Sequence, residues 1–230
     1  MVLDALRRHR LRFSRGLETY GAVGLSRQAI GRLLHKDEEY VWYALELARL
    51  EPMAFRGAGY ELRLATVEDL ELLREVPAIP IAEGRRRIVQ GEQLWFVLKE
   101  GRPAFACSVF VHLLPLEAAR RGRYFLPPRV ACVDDGLTNR EFRGRAIAAA
   151  AWVAIGEKLR DDGFEVLIAK VPVDNIASRR THEKTGFRVT VMMNRRRRGF
   201  RTHVTFRDEG SELTEAERRS ADDLRRAVAR

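Results

Sequence analysis

The chain has little cysteine. Cys107 and Cys132 are the two in 230 residues, and each sits inside an apolar run. Two cysteines with no C-x-x-C pair and no neighbouring Cys/His cluster exclude a zinc module and a secreted disulfide framework. Both are expected as buried small hydrophobes, and no metal site is expected. Long apolar runs are also missing: no window approaches the ~18 residues that a membrane-spanning helix needs. Arginines 7, 8, 10, 12 and 15 are followed by no apolar stretch, which argues against a signal peptide, so a cytoplasmic location is expected. There is no internal repeat and no low-complexity linker.

What is present is a chain of ordinary domain length with a strongly basic balance. A hydrophobic fraction of 46% and a charged fraction of 32% suit a globule. A chain this long buries roughly 70% of its unfolded surface and needs no covalent staple. The formal net charge is +10 and the sequence pI about 10.3. That balance favours anionic partners, among them nucleotide cofactors, acidic substrates, nucleic acid and anionic surfaces, without choosing one.

Residues 1–58 read differently from the rest. Leu25, Ile30, Leu33 and Leu34 fall on one side of a helix over 25–35, with Ser26 as its cap. Residues 39–47 (EYVWYALEL) are rich in aromatic and β-branched types and predict a strand. The segment 51–59, with Pro52, Gly57 and Gly59, breaks the pattern and marks a boundary. The expected organisation is an N-terminal extension (1–58), a main α/β domain (59–208) and a charged helical tail (209–230).

From Tyr60 strands and helices follow in order. Residues 60–65 alternate as a strand, and Thr66 to Asp69 form a capping box opening a helix to about Val76. A second helix is predicted over 81–89. Strands follow over 93–98 and 104–112, joined by a tight turn, then a loop over 113–128 and a strand over 130–138. Ala146 to Leu159 is a strong helix former, stopped by Asp161-Asp162-Gly163. Residues 164–173 predict a buried strand whose pairing ends at Pro172. Asn175 to Lys184 is helical and Gly186 terminates it. Residues 187–193 and 200–206 predict a hairpin around 194–199. Residues 214–229 predict an amphipathic, highly charged helix.

Two segments carry chemistry. Arg143-Gly144-Arg145-Ala146-Ile147-Ala148 lies where a strand ends and a helix begins. Its small residues let a ligand approach the main chain, and free amides at a helix start attract phosphate. Some thirty residues on come Asn175-Ile176-Ala177-Ser178 and then His182-Glu183-Lys184-Thr185-Gly186-Phe187. The pair suggests a cofactor with a phosphate end and a reactive end.

Over about 60–206, the order of elements resembles the GNAT superfamily of N-acetyltransferases. Glu141-Phe142-Arg143-Gly144-Arg145-Ala146 is similar to that family's acyl-CoA loop, usually written Gln/Arg-x-x-Gly-x-Gly/Ala. Asn175-x-x-Ser178-x-x-x-His182-x-x-x-Gly186-Phe187 is similar to the helix that closes over pantetheine. The resemblance implies an α/β fold with a mixed, mostly antiparallel central sheet and helices on both faces. It implies acetyl-CoA or another acyl-CoA as co-substrate, with no metal. Main-chain amides of Arg143 to Ala148 would hold the pyrophosphate, helped by the Arg143 and Arg145 side chains. Leu137 and Thr138 would pair with pantetheine, and an amide there would polarise the thioester carbonyl. Asn175 and Ser178 would contact the pantetheine arm.

This sequence departs from that pattern at two positions. Glu141 stands where the loop usually opens with glutamine or arginine. His182 stands where many members carry a tyrosine acid; a histidine with an ordinary pKa of roughly 6.5 can also donate a proton near neutrality. Asp134 and Asp135 are the candidate bases, and strand alternation would send them to opposite faces, so that at most one points at the acceptor.

The implied activity is transfer of an acetyl or other acyl group to a primary amine. The acceptor is an amine, acidic if arginines 195–198 in the expected hairpin read it. Two further readings stay open: a degenerate acyl-CoA-binding sensor or scaffold, and a transferase for an RNA-associated or ribosomal protein. The strand at 39–47 either extends the sheet or forms the edge of a homodimer.

Overall fold

The computed structural model describes residues 35–199, 201–209 and 212–228. The helix expected over 25–35 lies outside the described residues, except for His35. By backbone contacts the chain divides into two compact units. Of the described residues, 39–193 and those after 204 belong to the larger, and 35–38 and those between 194 and 204 to the smaller.

The strands are β1 (His35–Glu46), β2 (Tyr60–Leu64), β3 (Gln93–Lys99), β4 (Arg102–Phe110), β5 (Leu113–Pro115), β6 (Arg123–Phe125), β7 (Val130–Thr138), β8 (Val166–Pro172), β9 (Arg188–Arg198) and β10 (Arg201–Asp208). The α-helices are α1 (Ile81–Val89), α2 (Ile147–Asp161), α3 (Ile176–Lys184) and α4 (Glu215–Val228). The main sheet runs in the order β10-β9-β1-β8-β7-β4-β3-β2, with β5 and β6 as a separate small hairpin inside the expected loop. Pairing is antiparallel between β1 and β8, β2 and β3, β3 and β4, and β4 and β7; β7 and β8 are parallel.

Strands buried on both sides explain the apolar runs. Along β3, Trp95 and Val97 join one core with α2 residues such as Trp152, Ile155 and Leu159. Leu94, Phe96 and Leu98 join a second core with Leu70, Leu73 and Ile79 on the opposite face. Period-2 alternation thus distributes one strand between two helical layers. Gly84 in α1 is required by this packing, because a Cβ there would come within 2.8 Å of Leu70. Cys107 and Cys132 are both buried and unbridged.

Four expectations are refined. The capping box at Thr66 exists, with Asp69 accepting from the Thr66 amide at 2.9 Å, but the turn it opens is 3-10 over Val67–Arg74. The strand expected at 39–47 is no edge: β1 lies between β8 and β9, so it extends the sheet from within. Arginines 195–198 belong to strand β9 rather than to a turn. Within the smaller unit Arg195 pairs with Glu38, and Arg198 forms a two-pronged pair with Asp37 at 2.7 and 2.9 Å. Finally, β7 does not alternate regularly. Its pairing with β4 runs Ala106 to Leu137 and then Ser108 to Asp134, so Asp135 and Gly136 together oppose Cys107. That extra residue is a β-bulge.

Candidate active site

The parallel pair β7–β8 is short. Val130 to Val133 pair with Val166 to Ala169, and the register stops there although both strands continue. Beyond Val133 the two strands part. A cleft of about 150 Å³ opens at that point, lined by Asp134, Asp135, Gly136, Trp152, Lys170, Asn175, Ser178 and His182, among others. Residues far apart in sequence thus meet where the sheet opens.

The bulge shapes one wall. Asp135 adopts the left-handed region at φ 53°, which an aspartate tolerates better than most side chains. Gly136 admits no side chain: a Cβ there would sit 2.8 Å from the Trp152 ring. The bulge cancels the alternation expected of Asp134 and Asp135, and both line the cleft. The Asp135 amide donates to Asp134 Oδ1 at 2.9 Å. Lys170 Nζ on β8 lies 3.6 Å from Asp134 Oδ2. Burial holds the Asp134 carboxyl above its ordinary range, and the Lys170 ammonium offsets part of that rise.

His182 forms the other wall. It is 4% exposed. Its ring stacks between Tyr43 (centroids 5.6 Å apart) and Trp152 (5.5 Å), with Phe187 edge-on at 5.0 Å. Nδ1 lies 2.8 Å from the Ser178 carbonyl oxygen. A carbonyl only accepts, so Nδ1 carries the hydrogen and Nε2 is bare in the neutral ring. Burial depresses the imidazole below its ordinary 6.5, so it is neutral at pH 7. A neutral ring accepts a proton before it gives one. The adjacent Tyr43 hydroxyl donates to Glu183 at 2.9 Å.

The start of α2 lies beyond the end of β7. Gly144 (φ 80°) and Ala146 (φ 57°) are both left-handed, which turns the chain sharply into the helix. Ala146, the N-cap residue, makes no side-chain cap, and the first turn holds no acidic residue. Gly144, Arg145 and Ala146 are exposed, Ile147 is buried and Ala148 half-buried. Arg143 Nε donates to the Thr138 carbonyl at 3.3 Å, which ties the loop to the strand end. The Glu141 carboxylate is engaged by Arg102, from which it accepts at 2.9 Å. Leu137 and Thr138 pair with β4 on one side and have no register partner on β8. At α3, Asn175 caps the helix by accepting from the Ser178 amide at 3.2 Å.

A larger hollow of about 600 Å³ is bounded by Arg49, Glu51, Lys184, Arg188 and Glu217, among others. Size does not make it the site. It lies at the C-terminal end of α3 and contains nothing from the parted strands.

The fold and the amide-lined turn coincide with a sequence match. Residues 65–187, more than half of the chain, match the Acetyltransferase (GNAT) family. The chain belongs to the GNAT acetyltransferase family. Solved structures agree on the fold. A GCN5-related N-acetyltransferase from Sphaerobacter thermophilus superposes with a TM-score of 0.52 at 13% identity, covering 82% of this chain and 58% of that one. A GNAT-family acetyltransferase from Colwellia psychrerythraea gives 0.51 at 16% identity, covering 82% and 63%. The chain therefore spans less than two thirds of the length of these two proteins. No curated protein matches the sequence. Among the described residues of this GNAT chain, no helix is long and apolar enough to cross a membrane.

Sequence reasoning missed Arg87, Lys170 and Tyr43. Lys170 sits inside an apolar strand, where a lone cation between Ala169 and Val171 was a signal. Tyr43 and Arg87 reach the site from elements remote in sequence, and no local pattern marks them.

Proposed function

We propose that the chain is an acyl-CoA-dependent N-acyltransferase that moves an acetyl or other acyl group to a primary amine. The observation that carries this reading is the coincidence of two features. An uncapped helix start lies just past β7, and the β7–β8 pair parts to open a cleft that holds Asp134, Asp135 and His182.

The main chain of Arg143 to Ala148 suits the diphosphate. Its amides are uncapped, the helix dipole adds partial positive charge, and Arg143 and Arg145 add full charges. The unpaired edge at Leu137 and Thr138 suits the pantetheine arm as an added strand, and one amide there suits the thioester oxygen. Asn175 and Ser178 border the same channel from α3.

The chemistry is direct attack. The amine nitrogen adds to the thioester carbonyl carbon, the C–S bond breaks, the amine loses one proton, and the CoA sulfur leaves as a thiol. Asp134 is the base in this reading. Burial raises its pKa toward the range in which a carboxylate removes a proton effectively, and Lys170 favours its charged form. In this reading the proton that Asp134 takes from the amine reaches the departing sulfur by way of the bare Nε2 of His182, which acts as a relay rather than as a standing acid. Its buried, neutral state also favours a second reading, an acyl-CoA-binding module without turnover.

The test is incubation of the purified chain with acetyl-CoA and a broad amine panel, reading free thiol. Thiol release that depends on one amine supports the transferase. Tight CoA binding in calorimetry with no release for any amine selects the binding module. Absence of CoA binding removes both.

A further inference from the structure

Arg87 on α1 is a buried cation outside the motifs. It is 9% exposed. Its Nε donates to Glu83 Oε1, one turn earlier, at 2.7 Å. Its Nη1 donates to Ser108 Oγ at 2.6 Å and to Asp135 Oδ2 at 2.6 Å. The guanidinium lies 4.8 Å from the centroid of the Phe110 ring. Ser108 is on β4 directly opposite Asp134 in the register. One side chain thus spans both strands at the bulge and anchors them to the helical layer.

We propose that Arg87 is a positioning residue: it fixes the bulge through Asp135, and the Asp135 amide in turn aims the Asp134 carboxylate into the cleft. This rests on the acyltransfer reading for its consequence, though not for its geometry. A buried cation is costly unless paired, and here the guanidinium bonds go to two groups at or beside the bulge and to Glu83 on its own helix. Asp135 holds a left-handed backbone conformation at φ 53°, and the ion pair with Arg87 ties its side chain there. Four groups share the setting of Asp134: Lys170 from β8, Asp135 from its own strand, Arg87 from α1 and His182 from α3. Removing Arg87 deletes a positive charge and frees the negative charge of Asp135. Both changes disfavour the ionised form of Asp134.

The experiment compares the full chain with Arg87→Met, Arg87→Lys, Asp135→Asn and the Arg87→Met/Asp135→Asn double variant. Carbon-13 NMR of labelled aspartate carboxyls follows Asp134 in the folded protein, assigned by its loss in Asp134→Asn. Calorimetry follows CoA binding, and thiol release follows turnover with the amine found in the panel. The expected result for Arg87→Met is an upward move of the Asp134 midpoint, with turnover down by about 10- to 100-fold and CoA affinity unchanged within about twofold. The double variant should lose no more turnover than Arg87→Met alone, because both act through one contact. Arg87→Lys keeps charge and stem but loses the fork, so it should fold and show an intermediate shift. An unmoved Asp134 titration in folded Arg87→Met overturns the proposal; if that variant does not fold, an unmoved titration in Arg87→Lys does so. Losses that multiply in the double variant overturn it as well. If the wild-type chain binds CoA and acylates no amine, the acyltransfer reading falls, while the NMR arm still decides whether Arg87 aims Asp134.

Discussion

Two helix starts in this molecule are built in opposite ways. At α4, Thr214 and Glu217 satisfy each other: the Thr214 amide donates to Glu217 at 2.9 Å, and the Glu217 amide donates to the Thr214 hydroxyl at 3.3 Å. Glu215 adds a further negative charge to the first turn. At α2 no side chain caps, no acid occupies the first turn, and two arginines flank a glycine. The first helix start is complete in itself. The second has neither a side-chain cap nor an acid in its first turn. The other two described α-helices each have one of the two features: Asn175 caps α3, and α1 carries Glu83 in its first turn. Helix α2 alone among the four pairs the lack of a cap with the lack of an acid, and it is the one that follows the parted strands.

The largest effect concerns the chemistry beside that helix. Asp134→Asn should lower turnover by about 100- to 1,000-fold, the usual contribution of a general base, and leave CoA affinity within about twofold. Equal loss of binding and turnover would assign Asp134 to structure instead. The next largest sharpens the contrast directly. Ala146→Asp gives the start of α2 the acid it lacks, at a left-handed position that aspartate accepts. It should weaken CoA binding by about tenfold or more through charge repulsion, while its charge at the positive end of the helix dipole raises stability by about 0.3–1 kcal/mol. Opposite signs in calorimetry and in thermal unfolding are the signature. Unchanged CoA affinity would show that the diphosphate lies elsewhere.

The contrast also explains what the sequence made legible. The sharp Arg143–Ala148 turn into a helix could be read because it depends on small residues in a row, a local property. The helix that begins after Asn175 and ends before Gly186, and the limits of α1, could also be read from local signals. The position of β1 between β8 and β9 could not, since strand order follows from long-range packing that no segment encodes alone. The bulge at Asp135 and Gly136 was hidden because alternation is the default for any strand, and the exception depends on Trp152 and Arg87 filling space from other elements. Arginines 195–198 looked like a turn because four charges in a row seldom lie in a strand; their pairing with Asp37 and Glu38 is a contact across more than 150 residues.

His182→Phe follows in size. The ring keeps its place among Tyr43, Trp152 and Phe187, so CoA binding should hold while turnover falls by about tenfold. The pH dependence of stability isolates the imidazole. Its folded pKa lies below its ordinary 6.5, so the unfolded chain binds the proton more readily as pH falls. The wild type should therefore lose stability below about pH 6.5, down to the folded pKa, and be indifferent to this group above it. In the phenylalanine variant that part of the slope should vanish. A slope that persists would trace the acid sensitivity to the carboxylates.

Thr214→Ala should have the smallest effect on function. It removes half of the reciprocal cap at α4 and leaves the Glu217 amide without its hydroxyl. Loss of such a cap costs about 1 kcal/mol, seen as a few degrees in the unfolding midpoint of a chain this size. CoA affinity and turnover should not change, because a cap that serves its own helix holds nothing else. If this substitution weakened CoA binding as much as Ala146→Asp does, the two helix starts would not differ in purpose, and the assignment of α2 to the diphosphate would lose its main support.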